Sequence, residues 1–255
     1  MNTIAMKRFL FTCKIEFVLM VRNFFGFFFG LIFPLMMLVL FGSIFGNQPF
    51  SPGSDLRMMD LSIPGYAVMV MGVAGLMSFP LTLAECKEKK IYKRFDATPV
   101  GKAHIILAQI TVNLLLTVLG IAILLAAGKL LYQLQIQGDI LSIAVSALLS
   151  IAAMFAMGFL FTAVGKDAKL THLLCYLFYF VMLFLSGATV PAMLFPEQIR
   201  KLSQLLPMTH AVDLMQGVFV GDSLSMHGKE LLILGGICLV FYGVGAFCYT
   251  KRDWT

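Results

Sequence analysis

Six stretches of the chain, residues 23–54, 61–84, 103–128, 140–165, 170–196 and 231–250, contain no Asp, Glu, Lys or Arg. Each can cross a hydrocarbon core of about 30 Å, which takes roughly 20 helical residues. A large soluble protein also buries helices, but six such runs and a mean hydropathy of +0.91 exceed what a soluble core uses. The expected fold is an all-α polytopic membrane protein, residues 1–255 forming one domain with six transmembrane helices.

The cations orient it. With a cytoplasmic N-terminus, 14 Lys and Arg fall on inner segments and 5 on outer ones, Arg57, Lys129, Arg200, Lys201 and Lys229. Cytoplasmic loops of membrane proteins carry such an excess, which predicts both termini inside. The net charge of +6 then reads as orientation and attraction to membrane lipid with anionic headgroups. It is not the footprint of a nucleic-acid binder, because the cations are spread along the cytoplasmic edges.

Residues 1–22 carry charges throughout and lack an apolar core with a cleavage site, so no cleavable signal is expected. Met6, Leu10, Cys13, Phe17, Met20 and Phe24 recur at steps of four and three, one apolar stripe on a helix. Lys7, Arg8, Lys14 and Arg22 fall on the other side. This predicts an interfacial amphipathic helix on the inner membrane surface. None of the five cysteines lies in an external loop, so no disulfide framework is expected, and no histidine has metal-ligand spacing.

Span one, "FFGFFFGLIFPLMMLVLFGSIFG", holds Gly26/Gly30 and Gly42/Gly46, small residues four apart that allow close helix approach in lipid. Pro34 can kink it. Pro49, Pro52 and Gly53 mark a short outer turn after it. The segment "SGATVPAMLFPEQIRKLSQLLPMTHAVDLMQGVFVGD", Ser186–Asp222, is too apolar for a solvated loop. Arg200, Lys201, Asp213 and three prolines, Pro191, Pro196 and Pro207, exclude a seventh span. Pro196 can start a helix with Glu197 at its positive end, Pro207 follows its last turn, and Thr209 can cap a second one. Residues 189–221 are therefore expected to form two outer re-entrant helices between spans five and six.

Chemistry-bearing groups are scarce. The six runs lack ionisable carboxylates and amines, which disfavours self-powered coupling to protons or sodium. Gly101, Gly128, Gly165 and Gly228 each precede a lysine, but none completes a phosphate-binding loop. No nucleophile–base pairing appears, so no catalytic residues, no metal site and no enzyme activity are expected.

The basic run "AECKEKKIYKRFDATPV", Ala84–Val100, resembles the segment ending in Ala-Thr-Pro that follows span two in type 2 ATP-binding-cassette (ABC) exporter permeases. Ser186–Asp222 resembles the same family's segment between spans five and six, with its Ser-Gly, Pro-Glu and Leu-Pro-x-Thr-x-Ala-Val-Asp landmarks. The resemblance covers the whole chain and is nearest the multidrug and antibiotic-resistance branch. Lys89–Lys90 stand where Gly or Ser is common.

The resemblance implies a permease of the prokaryotic cell membrane, working as a dimer with a second copy or a sister permease. Energy would come from separate ABC ATPase subunits, which hold the ATP and Mg; this chain binds no cofactor. Residues 85–102 would form a cytoplasmic coupling helix, with Glu85, Glu88, Ile91, Tyr92 and Phe95 near one face, Thr98 extended, and Pro99 stopping the helix. Gly26, Phe29, Gly30 and Phe33 would lie at the dimer interface or substrate path. Asp213 and Thr209 would fix the turn between the re-entrant helices. The leading reading is export of a hydrophobic or amphipathic compound. Export of a lipid-linked glycan comes next, then a non-transporting sensor or scaffold subunit, then an intramembrane enzyme.

Overall fold

The computed structural model describes residues 3–46, 48–49, 56–96, 101–192 and 195–251. The first helix, α1, is Thr3–Arg22. Asn23 breaks it from α2, Phe24–Phe45: its backbone turns extended and its side-chain oxygen accepts from Gly26 N at 3.2 Å. Next come α3, Met58–Glu88, a short α4, Ile91–Asp96, and α5, Gly101–Tyr132. After these come α6, Ile140–Val164, and α7, Ala168–Leu185. The chain closes with α8, Glu197–Ser203, α9, Pro207–Val220, and α10, Gly228–Lys251. Six of these elements are long and apolar enough to span a bilayer, and the described residues contain no strand beyond an isolated bridge between Pro49 and Arg57. Pro52 and Gly53 lie outside the described residues.

Two spans contain a wide, π-helical turn, Phe28–Ile32 in α2 and Ala74–Ser78 in α3. Each precedes a proline, Pro34 and Pro80. A proline ring clashes with the carbonyl four residues earlier and offers no N–H. Those carbonyls belong to Gly30 and Leu76, and the wide turn gives them room. Pro34 therefore widens the helix where the sequence pointed to a kink.

The α3 helix is the axis of the bundle. Of its apolar stretch 94% is buried, against 11–44% for the other five spans. It packs on α2, α5, α6, α7 and α9. Its closest crossing is with α6: a Cβ at Gly75 would run into the Met154 and Phe155 backbone, and one at Gly158 into the Gly75 carbonyl. In lipid, where apolar surface gains nothing by meeting other apolar surface, such backbone approach is a main source of cohesion.

Two expectations need correcting. The uncharged run 170–196 is helical only to Leu185, because Ser186 caps the helix and Gly187 takes φ 84°. Beyond it Ala188 turns inward and packs so closely on Gly65 of α3 that a Cβ there would touch its carbonyl. The α1 stripe also divides. Its packed side carries Cys13, Glu16 and Met20, while Leu10 and Phe17 remain on the surface of the bundle. The Met6 side chain is outside the described residues.

The axial crossing predicts a contrast. Gly75→Ala and Gly158→Ala each overpack a backbone contact and should cost about 1–3 kcal/mol. Gly235→Ala and Gly236→Ala meet nothing within 4 Å and should be neutral or stabilising by about 0.5–1 kcal/mol. Thermal unfolding of purified protein in detergent measures both; equal effects in the two pairs would remove α6 as the close partner of α3.

Candidate functional site

Polar side chains gather at the two ends of the bundle. At the end carrying α1 and the basic run, here the basic end, four elements meet on one glutamine. Gln109 of α5 accepts from Tyr92 OH of α4 at 3.0 Å. Its amide nitrogen donates to Glu16 Oε1 of α1 at 3.3 Å and lies 3.5 Å from Cys86 Sγ of α3. All but Cys86 are buried: Gln109 is 1% exposed, Tyr92 6% and Glu16 7%. Phe9 meets His104 edge-on at 5.2 Å and extends the contact between α1 and α5.

The same end reaches α7 through two carboxylates. Glu88 Oε2 accepts from the backbone N of Ala168 at 2.8 Å and so occupies the positive start of α7. Glu85 pairs with Lys89 at 2.9 Å, and its other oxygen lies 3.9 Å from His172 Nε2.

The basic run is not one helix from Glu85. Helix α3 continues through Glu88, the chain breaks at Lys90, whose φ of 54° is left-handed, and α4 restarts at Ile91. Tyr92 therefore shares no helix face with Glu85 and Glu88, which both look toward α7. Glu88 turns to α7, and Tyr92 turns into the bundle and offers no ring to a partner in this conformation. The described side chains that α4 leaves exposed are Lys93 and Arg94, with Ile91 half-buried. The Phe95 side chain, Thr98 and Pro99 lie outside the described residues.

In α2, Gly26 and Gly30 pack within the chain. Cβ atoms there would stand 3.1 Å from Ser78 Oγ and 3.3 Å from Val73 of α3. Phe29 stacks edge-on against Phe180 of α7 at 5.1 Å and tilts against Phe33 at 5.4 Å.

At the far end, α9 is buried against α3, α6 and α10. Pro196 caps α8, and Glu197 in its first turn pairs with Lys201. Pro207 begins α9, and Pro191 is buried before α8. Thr209 ties the turn by donating to the Ser203 carbonyl at 2.6 Å, with His210 Nε2 2.9 Å from the Gln204 carbonyl. Asp213 does not fix that turn. It lies one turn further along α9, and its ionisable neighbours are His210, Glu230, His227 and Lys229. Gln216 fastens α9 to α3 by donating to the Leu61 carbonyl at 2.9 Å. Buried Asp60 accepts from the Arg57 and Gln135 backbone and joins the start of α3 to the loop after α5.

Sequence reading passed over the residues at the centre of the basic end. Glu16 is the lone acid of α1 and stands on the same side as Cys13 and Met20. Gln109, Asn113 and Thr117 stand four apart in a largely apolar run. Both patterns were available as signals.

Five apolar spans around a sixth, buried axial one make this a multi-pass membrane protein. The profile of the ABC-2 type transporter family matches residues 8–220, and the chain belongs to that family. It is thus a transmembrane component of an ABC transporter, not the ATP-binding subunit, in a family that works with ABC ATPase partners. A search of curated proteins finds no match.

Burial holds the Glu16 carboxyl above its ordinary range, and the hydrogen bond from Gln109 offsets only part of this. The folded value exceeds the unfolded one, so the stabilisation is complete below the ordinary carboxylate range. It is lost as pH rises through the folded value. Docking of α1 should therefore loosen from acid toward neutral pH. Glu16→Gln should hold it flat, while Glu16→Leu removes a partner of Gln109 and costs about 1–3 kcal/mol at all pH. Hydrogen exchange of α1 amides against pH reads this, and a Glu16→Gln slope equal to wild type would refute it.

Proposed function

We propose that the chain is the permease of an ATP-driven exporter of hydrophobic or amphipathic compounds, in the multidrug and antibiotic-resistance branch. It works as a dimer in a prokaryotic cell membrane, with both termini cytoplasmic. The distribution of cations, 14 against 5, supports that orientation. On this reading the basic end faces the ATPase, α4 is the coupling helix, and α8 and α9 form the outer re-entrant pair. The apolar spans suit a greasy cargo, since their described cores carry no charged group for a polar one.

The observation that carries the reading is the joint at Gln109. Helix α4 is held at a single buried glutamine together with α1 and α5, and the neighbouring Glu88 holds α7. A push on α4 by a partner therefore reaches α5 and α1 through hydrogen bonds. Lys93 and Arg94 offer that partner two exposed cations, and ATP and Mg remain on the ATPase.

The test uses the permease co-expressed with its ATPase. Reversing both cations, Lys93→Glu with Arg94→Glu, should release the ATPase on co-purification, and Phe95→Ala should weaken recruitment. Tyr92→Phe should keep the ATPase bound but lower drug-stimulated hydrolysis about five-fold, the worth of one hydrogen bond of about 1 kcal/mol. Wild-type recruitment and transport in all three would reduce the basic run to a topology signal.

A further inference from the structure

A cleft of about 170 Å³ opens between α1, α2, α3 and α5, flanked by the wide turns of α2 and α3. Its walls include Gly30, Ser78, Asn113, Thr117 and Gly120. One of these, Asn113, carries a buried polar atom without a partner. Asn113 is 1% exposed, and its Oδ1 is buried and accepts no hydrogen bond among the described residues. The amide cannot turn to cure this at no cost, because its Nδ2 already donates to the Gln109 carbonyl at 2.8 Å. Ser78 is 7% exposed, and its Oγ faces Gly26 of α2. Thr117, by contrast, donates to the Asn113 carbonyl at 2.7 Å. A buried acceptor left open in lipid is costly, and here it borders empty space.

We propose that this cleft binds a single-chain amphiphile whose hydroxyl donates to Asn113 Oδ1. The polarity of the walls runs the right way. Asn113 and Ser78 lie toward the basic end, beside Phe17 and Met20 of α1. From there the cleft becomes apolar toward Ile123 of α5, ten residues on, about 15 Å along the helix. Its rim is open to lipid: Phe17 is 45% exposed and Leu119 52%. Arg22, exposed next to Val21 on that rim, places a cation at headgroup level. The volume falls below the roughly 300–1,000 Å³ that encloses a drug-sized ligand. One chain with its first polar group therefore fits, and the rest of the headgroup stays in the interface. The proposal concerns the leaflet at the basic end and depends on neither the direction of transport nor the partner.

The experiment uses the full-length permease in nanodiscs and two photoactivatable probes with a diazirine in the chain. One is a lysophosphatidylcholine with a free hydroxyl beside the chain; the other is its O-methyl analogue, which keeps chain and headgroup and loses the donor. The hydroxyl probe should label peptide 113–123 about five-fold more than the methyl probe. Asn113→Leu should erase that preference, while labelling at Leu232 and Leu239 of α10, 79% and 80% exposed, stays unchanged and reports an intact fold. Ser78→Ala, which removes a polar group from the same cleft, should lower the preference and carries the test if Asn113→Leu does not fold. Equal labelling of the wild type by both probes, or an unchanged preference in both variants, would overturn the proposal and leave Asn113 to water. In the assembled transporter, loss of label on adding ATP marks a cargo and retention marks a resident lipid, each an occupant of this site. Labelling needs no ATP, so its failure and a failure of export are separate results.

Discussion

The arrangement rests on the contact between Gly75 and Gly158. Because neither residue has a side chain, α6 can lie against the α3 backbone, and α3 can sit in the centre with protein on every side. Lipid tails are as apolar as leucine, so burying α3 brings no hydrophobic gain of the kind that organises a soluble core. A helix is held there by close packing and the few polar groups it can bind. Both are concentrated on α3: small residues along its length, Asp60 and Arg57 at one end, Cys86 and Glu88 at the other.

Much of this was legible in the sequence because lipid leaves a chain few options. Uncharged runs became spans within a few residues, apart from the first and fifth, whose described spans end at Phe45 and Leu185. The stretch beyond Leu185 misled because apolarity has two uses in a membrane protein, facing lipid and packing against protein. Ser186–Gly187, where the helix ends, outweighed the hydropathy of the residues beyond it. The basic run misled differently. Its spacing suits one helix, but Lys90 takes a left-handed conformation and splits it, so residues that share a face on an unbroken helix look in separate directions.

The candidate site was less legible, since its central residues speak only in pairs. Gln109 in an apolar run is unremarkable until Glu16, 93 positions earlier, and Tyr92, 17 positions earlier, are brought to it. Asp213 shows the converse. Its place beside the turn on the sequence suggested a role in the turn, but one helical turn carries it to His210 and the start of α10. Thr209, whose hydroxyl reaches back six residues, holds the turn instead.

The distribution of stiffness has the same origin. A continuous helix of 31 residues spans about 46 Å and carries a displacement from one end to the other with little loss. Along α3 backbone bonds are lost at Pro64 and at Pro80, which follows the wide turn Ala74–Ser78. The matching turn in α2 lies beside it, since Gly26 and Gly30 rest on Ser78 and Val73. Two softened turns therefore stand side by side between a rigid joint at Gln109 and a rigid joint at Asp60. The cleft with its unpartnered Asn113 lies at the same level. A molecule seated there touches the wide turns of both helices at once, through Gly30 and Leu31 of α2 and Ala74 and Ser78 of α3.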